Sequence, residues 1–513
     1  ADEVRYLISR GADLKVRDAF KNTLLTAATV GNDIDTIRLA VDAGIDVNAA
    51  AVTGFTPLFQ AASEKNVEAV KLLISRGADV NAVVDDAGLT PSQDPKTGPV
   101  QLRSYTALLS AAALGPPELI KALVDAGANV NATDSRKFTP LMLAVATDHQ
   151  DPDVIGLLLA RGADAAQRGP QFGTPVDWAS EAGGPDGIAL LHAPKPRITA
   201  AAVTAAPLDP KAAVQKSLGL LETTTQTFFE KSGCISCHAQ PITSMAAAEA
   251  SLKGIRVDQK LMADRTRQLE TSSIPPFILA EQLDIQVPEI VADGLVGLAA
   301  AGQPSDRTTD AMAINVSRYQ DRDGAWHQLY GSQARPGAED GDIFRTALGV
   351  RALSVYGPRG RAKEMDDRIA RAREWLMHAK TVTADDRNMQ LLGLVWAGAP
   401  AAAVKPLADS VLAHQQPDGG WRQHDALGTD ALATGQSLYA LAKSGLPASD
   451  PRYQKGVHYL LTTQRTSDGS WRVESRAPKF QTFFQSGFPY AGDQWISAWA
   501  TGWSTMALAQ VLP

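Results

Sequence analysis

The sequence predicts an all-α chain in two helical parts, and three patterns carry that expectation. Glycine recurs at intervals close to 33 residues through the first part, each time closing a short apolar helical stretch. A Gln-x3-Gly-x-Trp signature recurs through the second part. Between them lies Cys234-Ile235-Ser236-Cys237-His238, which holds the only two cysteines of 513 residues.

The glycines of the first part are Gly11, Gly44, Gly77, Gly127 and Gly162, spaced by 33, 33, 50 and 35 residues and followed by Ala or Ile and then Asp or Asn. Each unit opens a first helix with Thr23-Leu24-Leu25, Thr56-Pro57-Leu58, Thr106-Ala107-Leu108, Thr139-Pro140-Leu141 or Thr174-Pro175-Val176. Proline suits a first turn because its missing N–H would be unpaired there anyway. A second helix follows, as in Val70-Lys71-Leu72-Leu73-Ile74, and the glycine stops it. These five units resemble ankyrin repeats over residues 1–192. The resemblance implies a solenoid of helix pairs that holds a partner protein and has no chemistry of its own. The long interval implies an insertion of about 17 residues, from Val83 to Arg103, looping out on one face. Residues 1–10 match only the second helix of a unit, so the expectation is that the sequence starts partway through a repeat, with room for a signal peptide or anchor upstream.

Residues 193–213, with Pro194, Pro196, Pro207 and Pro210 among alanines, read as an extended linker. Residues 214–284 read as a helical segment around the cysteine pair, and 285–513 as a separate helical domain. Eight of the nine tryptophans follow the linker. Three of them close the signatures Gln320-x3-Gly324-x-Trp326, Gln415-x3-Gly419-x-Trp421 and Gln464-x4-Gly469-x-Trp471. The Gln is expected to bond the end of a neighbouring helix while the Trp packs over it.

This pattern resembles the QW repeat of the squalene-hopene cyclase and prenyltransferase superfamily over roughly residues 285–513, which implies an α/α toroid. The catalysis of that superfamily does not carry over. Its cyclases protonate an alkene with a D-x-D-D acid, and none occurs here. Glu364-Met365-Asp366-Asp367 reads as a solvated helix face. Glu339-Asp340-Gly341-Asp342 and Thr383-Ala384-Asp385-Asp386 suit loops or helix starts with solvated, ionised carboxylates. A prenyltransferase zinc would need a cysteine, and none follows Cys237. No catalytic residue is assigned.

Cys234, Cys237 and His238 form the C-x-x-C-H signature of c-type haem attachment. Two thiols add to the two vinyl groups of one porphyrin, and the adjoining imidazole becomes an axial iron ligand. A redox dithiol, a structural zinc and a plain disulfide are the alternatives. The first wants a βαβ setting, the second a second ligand pair, and the third a very short loop. Helices are expected over 222–231 and 241–252, with Pro241 in the first turn of the latter. Met245, Met262, Met312 and His327 are the candidates for a sixth ligand. Met245 lies seven residues past His238, hence on nearly the same helix face, and so is poorly placed to grip the opposite side of one iron.

A net charge of -7 argues against a nucleic-acid surface, and no apolar run approaches the roughly 20 residues of a membrane span. The whole arrangement resembles exported bacterial proteins with toroid repeats, which implies one covalent haem and a periplasmic or otherwise exported location. The expected role is a c-type cytochrome subunit that relays electrons, with the ankyrin repeats docking a protein partner, itself a redox enzyme or subunit. Two other expectations stand beside it: a haem enzyme that oxidises an apolar isoprenoid or quinone-like substrate inside the toroid, and a structural scaffold subunit.

Overall fold

A computed structural model of the chain describes residues 1–19, 21–52, 54–84, 104–135, 137–169, 173–195, 207–232, 239–271, 288–327, 337, 341–477 and 485–513. The chain divides into two units, the first built on Ala1–Pro196 and the second on Arg197–His327, Gly337–Arg476 and Phe483–Pro513.

The first unit begins with α1 (Asp2–Ser9), none of whose residues is buried. Five helix pairs follow: α2 (Leu24–Val30) with α3 (Ile34–Asp42), α4 (Pro57–Ser63) with α5 (Val67–Ser75), α6 (Ala107–Ala111) with α7 (Pro117–Asp125), α8 (Pro140–Val145) with α9 (Pro152–Ala160), and α10 (Pro175–Ala182) with α11 (Pro185–Leu191). The recurring threonines of the sequence pattern are N-caps. The side chains of Thr23, Thr56, Thr106, Thr139 and Thr174 each accept from the backbone N–H three residues on, at 3.2–3.3 Å. The five repeat glycines all have φ between +78° and +92°. A Cβ at Gly44, Gly77, Gly127 or Gly162 would meet no neighbour, so backbone conformation alone selects glycine there.

Each pair packs on the pairs before and after it. Loops are stitched by an asparagine ladder: Asn48, Asn81 and Asn131 donate to the carbonyls of Gly77, Gly127 and Gly162, and accept from the N–H groups of Asp79, Asn129 and Asp164. The 50-residue interval leaves this ladder intact, because Asn81 reaches Gly127 as Asn48 reaches Gly77. The insertion is pinched at its base, where Val84 and Tyr105 exchange backbone hydrogen bonds of 2.8 and 3.4 Å; its residues 85–103 lie outside the described ones.

The second unit opens with α12 (Pro210–Ser232), α13 (Gln240–Ser251), α14 (Gln259–Thr271), α15 (Pro288–Ala300) and α16 (Arg307–Arg318). It continues with α17 (Asp342–Tyr356), α18 (Ala362–His378), α19 (Ala384–Trp396), α20 (Ala401–Ala413), α21 (Ala431–Lys443), α22 (Pro451–Thr463) and α23 (Gln494–Ala509). A two-residue hairpin, β1 (Trp421–Arg422) and β2 (Thr429–Asp430), pairs Trp421 with Asp430. Helix α12 starts at Pro210, so the end of the expected linker is helical, and the helix expected over 222–231 is the last part of a 23-residue one.

Inner helices pack in the order α13, α15, α17, α19, α21, α23, and α23 packs back on α13. The helices α12, α14, α16, α18, α20 and α22 lie outside this series, each against the inner helix that follows it.

Three turns weld the layers, and they are the three Gln-to-Trp signatures. The Trp326, Trp421 and Trp471 indoles donate back to the carbonyls of Val316, Val411 and Leu460 on the preceding outer helix, at 2.6, 2.7 and 3.0 Å. The same residues' backbone N–H groups donate to Thr346, Thr434 and Thr501 on the following inner helix. Gln320, Gln415 and Gln464 donate to their own turn's glycine carbonyl and, at 2.8, 2.8 and 3.2 Å, to Arg368, Arg452 and Ala213 on the next outer helix. The bond falls in the N-terminal half of that helix. The Trp421 ring lies over the same helix that Gln415 bonds, as expected, its Cζ3 2.9 Å from where a Cβ on Gly456 would sit, while its indole N–H anchors the helix before it.

Glycine is required twice over in these turns. Gly419 and Gly469 have φ of +91° and +83°, and a Cβ would sit 2.6 Å from the Lys455 carbonyl oxygen or 2.8 Å from the Ser217 nitrogen. The third turn thus grips α12, the first helix of the unit.

Candidate functional site

Cys234, Cys237 and His238 lie outside the described residues. Their flanks are described. Helix α12 brings the half-buried Phe228 and Phe229 to its last turn, and Lys231 Nζ donates to the Gln485 carbonyl at 2.6 Å. Helix α13 has Ala239 as its N-cap, with Pro241 in the first turn as expected, and its first bond runs from Thr243 N–H to the Ala239 carbonyl. The cysteine pair therefore connects the end of an outer helix to the start of an inner one.

The expectation that Met245 shares a helix face with His238 turns on a residue outside the described ones. Glu249 projects into the interior of the inner series, as shown below, and Met245 lies one turn before it on the same face, partly buried. The other candidates differ. Gln268 Nε2 donates to Gln226 Oε1 and Asp258 N–H donates to Glu222, which sets α14 alongside α12. Met262 is partly buried on α14, one turn past Asp258. Met312 is fully buried between α16 and α15, its Cε 3.2 Å from where a Cβ on Gly294 would lie. His327 is not free to ligate: Nδ1 is 2.6 Å from Asp342 Oδ2 and Nε2 is 3.0 Å from Asp323 Oδ2.

The interior of the inner series is crossed by side chains. Phe344 of α17 meets Trp499 of α23, helices that are not neighbours in the series, with ring centroids 6.2 Å apart. Trp499 contacts Trp503 at 6.0 Å, and Trp503 contacts Tyr439 of α21 at 5.5 Å. The Tyr439 hydroxyl donates to Glu249 of α13 at 2.9 Å, and Lys443 and Gln510 also reach that carboxylate, at 2.6 and 3.1 Å. All four rings are at most 5 % exposed. At this level the interior is packed, in contrast to the open apolar chamber that an isoprenoid substrate would require.

A buried polar group that sequence reasoning missed lies at the starts of α19 and α21. Arg476 donates to Gln423 Oε1 at 2.5 Å, Gln423 Nε2 donates to Asp430 Oδ2 at 2.8 Å, and His424 Nε2 lies 3.4 Å from Arg476. Gln436 donates to Asp385 Oδ1 at 2.6 Å and accepts from Asn388. Burial pushes the Asp430 carboxyl above its ordinary value, which is what an alkene-protonating acid needs. Both its oxygens are nevertheless taken, one by Gln423 and one by the Ala433 N–H, so it caps α21.

Asp385 and Asp386 are buried, against the expectation that they are solvated; Asp386 completes a capping box with Thr383. Asp366 and Asp367 are exposed on α18 as expected, with Asp367 paired to Lys363 and Glu364 to Arg361 and Arg368. Among the described residues no group of three or more His, Cys, Asp or Glu side chains is placed to hold a metal ion. No described helix is long and apolar enough to cross a membrane.

The family model described as ankyrin repeats (3 copies) matches residues 1–83 and 90–197. No curated protein matches the chain. The first unit is a stack of ankyrin repeats, a type of surface that serves protein–protein interaction.

Proposed function

We propose that this chain is an exported c-type haem protein that relays electrons, with its ankyrin stack docking a protein partner and its second unit, an α/α toroid, carrying the haem. The observation that carries the reading is the chemistry of the donor set: two thiols and an imidazole in C-x-x-C-H spacing, in a chain with no other cysteine to mispair. Cys234 and Cys237 would fix the porphyrin and His238 would ligate the iron. Bound there, the haem would supply one-electron chemistry.

Support for the toroid comes from the return of α23 onto α13 and from the third turn's grip on α12. The packed interior favours the relay over a substrate-oxidising enzyme, since Phe344, Trp499, Trp503 and Tyr439 occupy the space such a substrate would need.

The test is covalent attachment. Protein made with a c-type maturation system should keep its colour through acid-acetone extraction and gain the mass of one haem, and replacing Cys234 and Cys237 by Ser should abolish both. A haem that extracts freely sinks the reading.

A further inference from the structure

We propose that Trp499, Trp503 and Tyr439 form a path for an oxidising equivalent through the second unit, ending in transfer of the Tyr439 proton to Glu249. The rings are in successive contact, with centroids 6.0 and 5.5 Å apart, and all three are at least 95 % buried, which shields a radical from solvent.

The hydrogen bonding differs along the path in the way such a transfer requires. Among the described residues neither indole N–H, on Trp499 or on Trp503, has a hydrogen-bond partner. An oxidised indole without a base at its nitrogen keeps its proton, remains a strongly oxidising cation and passes the hole on. The phenol of Tyr439 does have a base, the Glu249 carboxylate at 2.9 Å. Lys443 Nζ lies 5.1 Å from the centre of the same ring and 2.6 Å from Glu249. That cation disfavours a positive charge on the Tyr439 ring, so the electron leaves together with the proton. Written out, the Trp503 radical cation takes one electron from Tyr439, the phenol O–H bond breaks, and its proton forms an O–H bond on Glu249. Neutral Trp503, a neutral tyrosyl radical and a protonated Glu249 result. The hole itself comes from a strong one-electron oxidant. In nature a peroxide would be the ultimate oxidant, and the proposal rests on the haem reading only for the group through which it would act.

The experiment supplies the hole without haem. The full chain is mixed with a ruthenium polypyridyl sensitiser, oxidised by flash-quench and followed by freeze-quench electron paramagnetic resonance. A tyrosyl signal is expected, reduced at least tenfold in Tyr439→Phe, which should accumulate a tryptophan radical instead, and reduced several-fold in Trp503→Phe. Glu249→Gln should slow its appearance, because the amide cannot accept the proton. Circular dichroism of each variant checks folding, and Phe344→Leu, beside the path, controls for repacking and should leave the yield unchanged. An undiminished tyrosyl signal in folded Tyr439→Phe or Trp503→Phe overturns the path, whereas failure of haem attachment leaves this result untouched.

Discussion

The two units solve the same problem, holding pairs of short helices in register, with contacts of very different reach. In the ankyrin stack, Asn48, Asn81 and Asn131 bond loops 29–48 residues away, always in the next repeat. In the second unit, Gln464 bonds Ala213 across 251 residues, and Ser217 shares a 2.7 Å hydroxyl contact with Thr505 across 288. A stack bound only to neighbours can fray from an end or part in the middle. A series whose last turn holds its first helix should melt as one body.

Breaking a Trp turn is the strongest way to test that difference. Trp471→Ala should cost the second unit about 3–5 kcal/mol and lower its entire transition, leaving the ankyrin transition in place. Calorimetry would show this, and Trp178, the first unit's sole tryptophan, reports separately in a variant background. Loss confined to α22 and α23 by hydrogen exchange would contradict single-body melting.

The next largest contrast lies in the glycines. Gly77→Ala should cost about 1–2 kcal/mol, the price of a left-handed backbone alone. Gly469→Ala should cost clearly more, because its Cβ also meets the Ser217 backbone at 2.8 Å. Equal shifts in denaturant midpoint would mean that the grip on α12 relaxes without penalty. Asn81→Ala removes two ladder bonds, about 1–2 kcal/mol, and should split the ankyrin transition in two, since the repeats on either side no longer share that stitch. A single unbroken transition would count against the modular picture.

The smallest effect is one of sign. Asp177 and Asp430 both cap helices. Bonds from the Thr174 backbone N–H and hydroxyl hold Asp177 below its ordinary value of 3.8, whereas burial raises Asp430 above it. Stability from Asp177 is therefore present above that ordinary value and lost as pH falls through the lowered one. Stability from Asp430 is present below the ordinary value and lost as pH rises through the raised one. Asp177→Asn should thus be most costly at neutral pH and Asp430→Asn most costly in acid, as read from melting temperatures between pH 3 and pH 7. Parallel pH profiles would show that burial does not govern Asp430.

What the sequence by itself determined is what a few adjacent residues decide. Threonine caps, first-turn prolines and left-handed glycines act within four residues of themselves, so all five ankyrin units were legible, as were the Gln, Gly and Trp of each turn. The C-x-x-C-H spacing is local in the same sense, and its donor chemistry could be read before any coordinates. Only the tertiary structure decided which helix each turn grips. The threonines that receive the Trp N–H groups lie 20, 13 and 30 residues on, a spacing with no period to detect. It also decided that Asp385 and Asp386 are buried, that His327 is held by two carboxylates, and that rings from α17, α21 and α23 meet in the interior. His327 meets carboxylates 4 and 15 residues away and Asp385 meets Gln436 across 51, separations with no common period, so no local pattern encodes which groups will set burial and electrostatic environment.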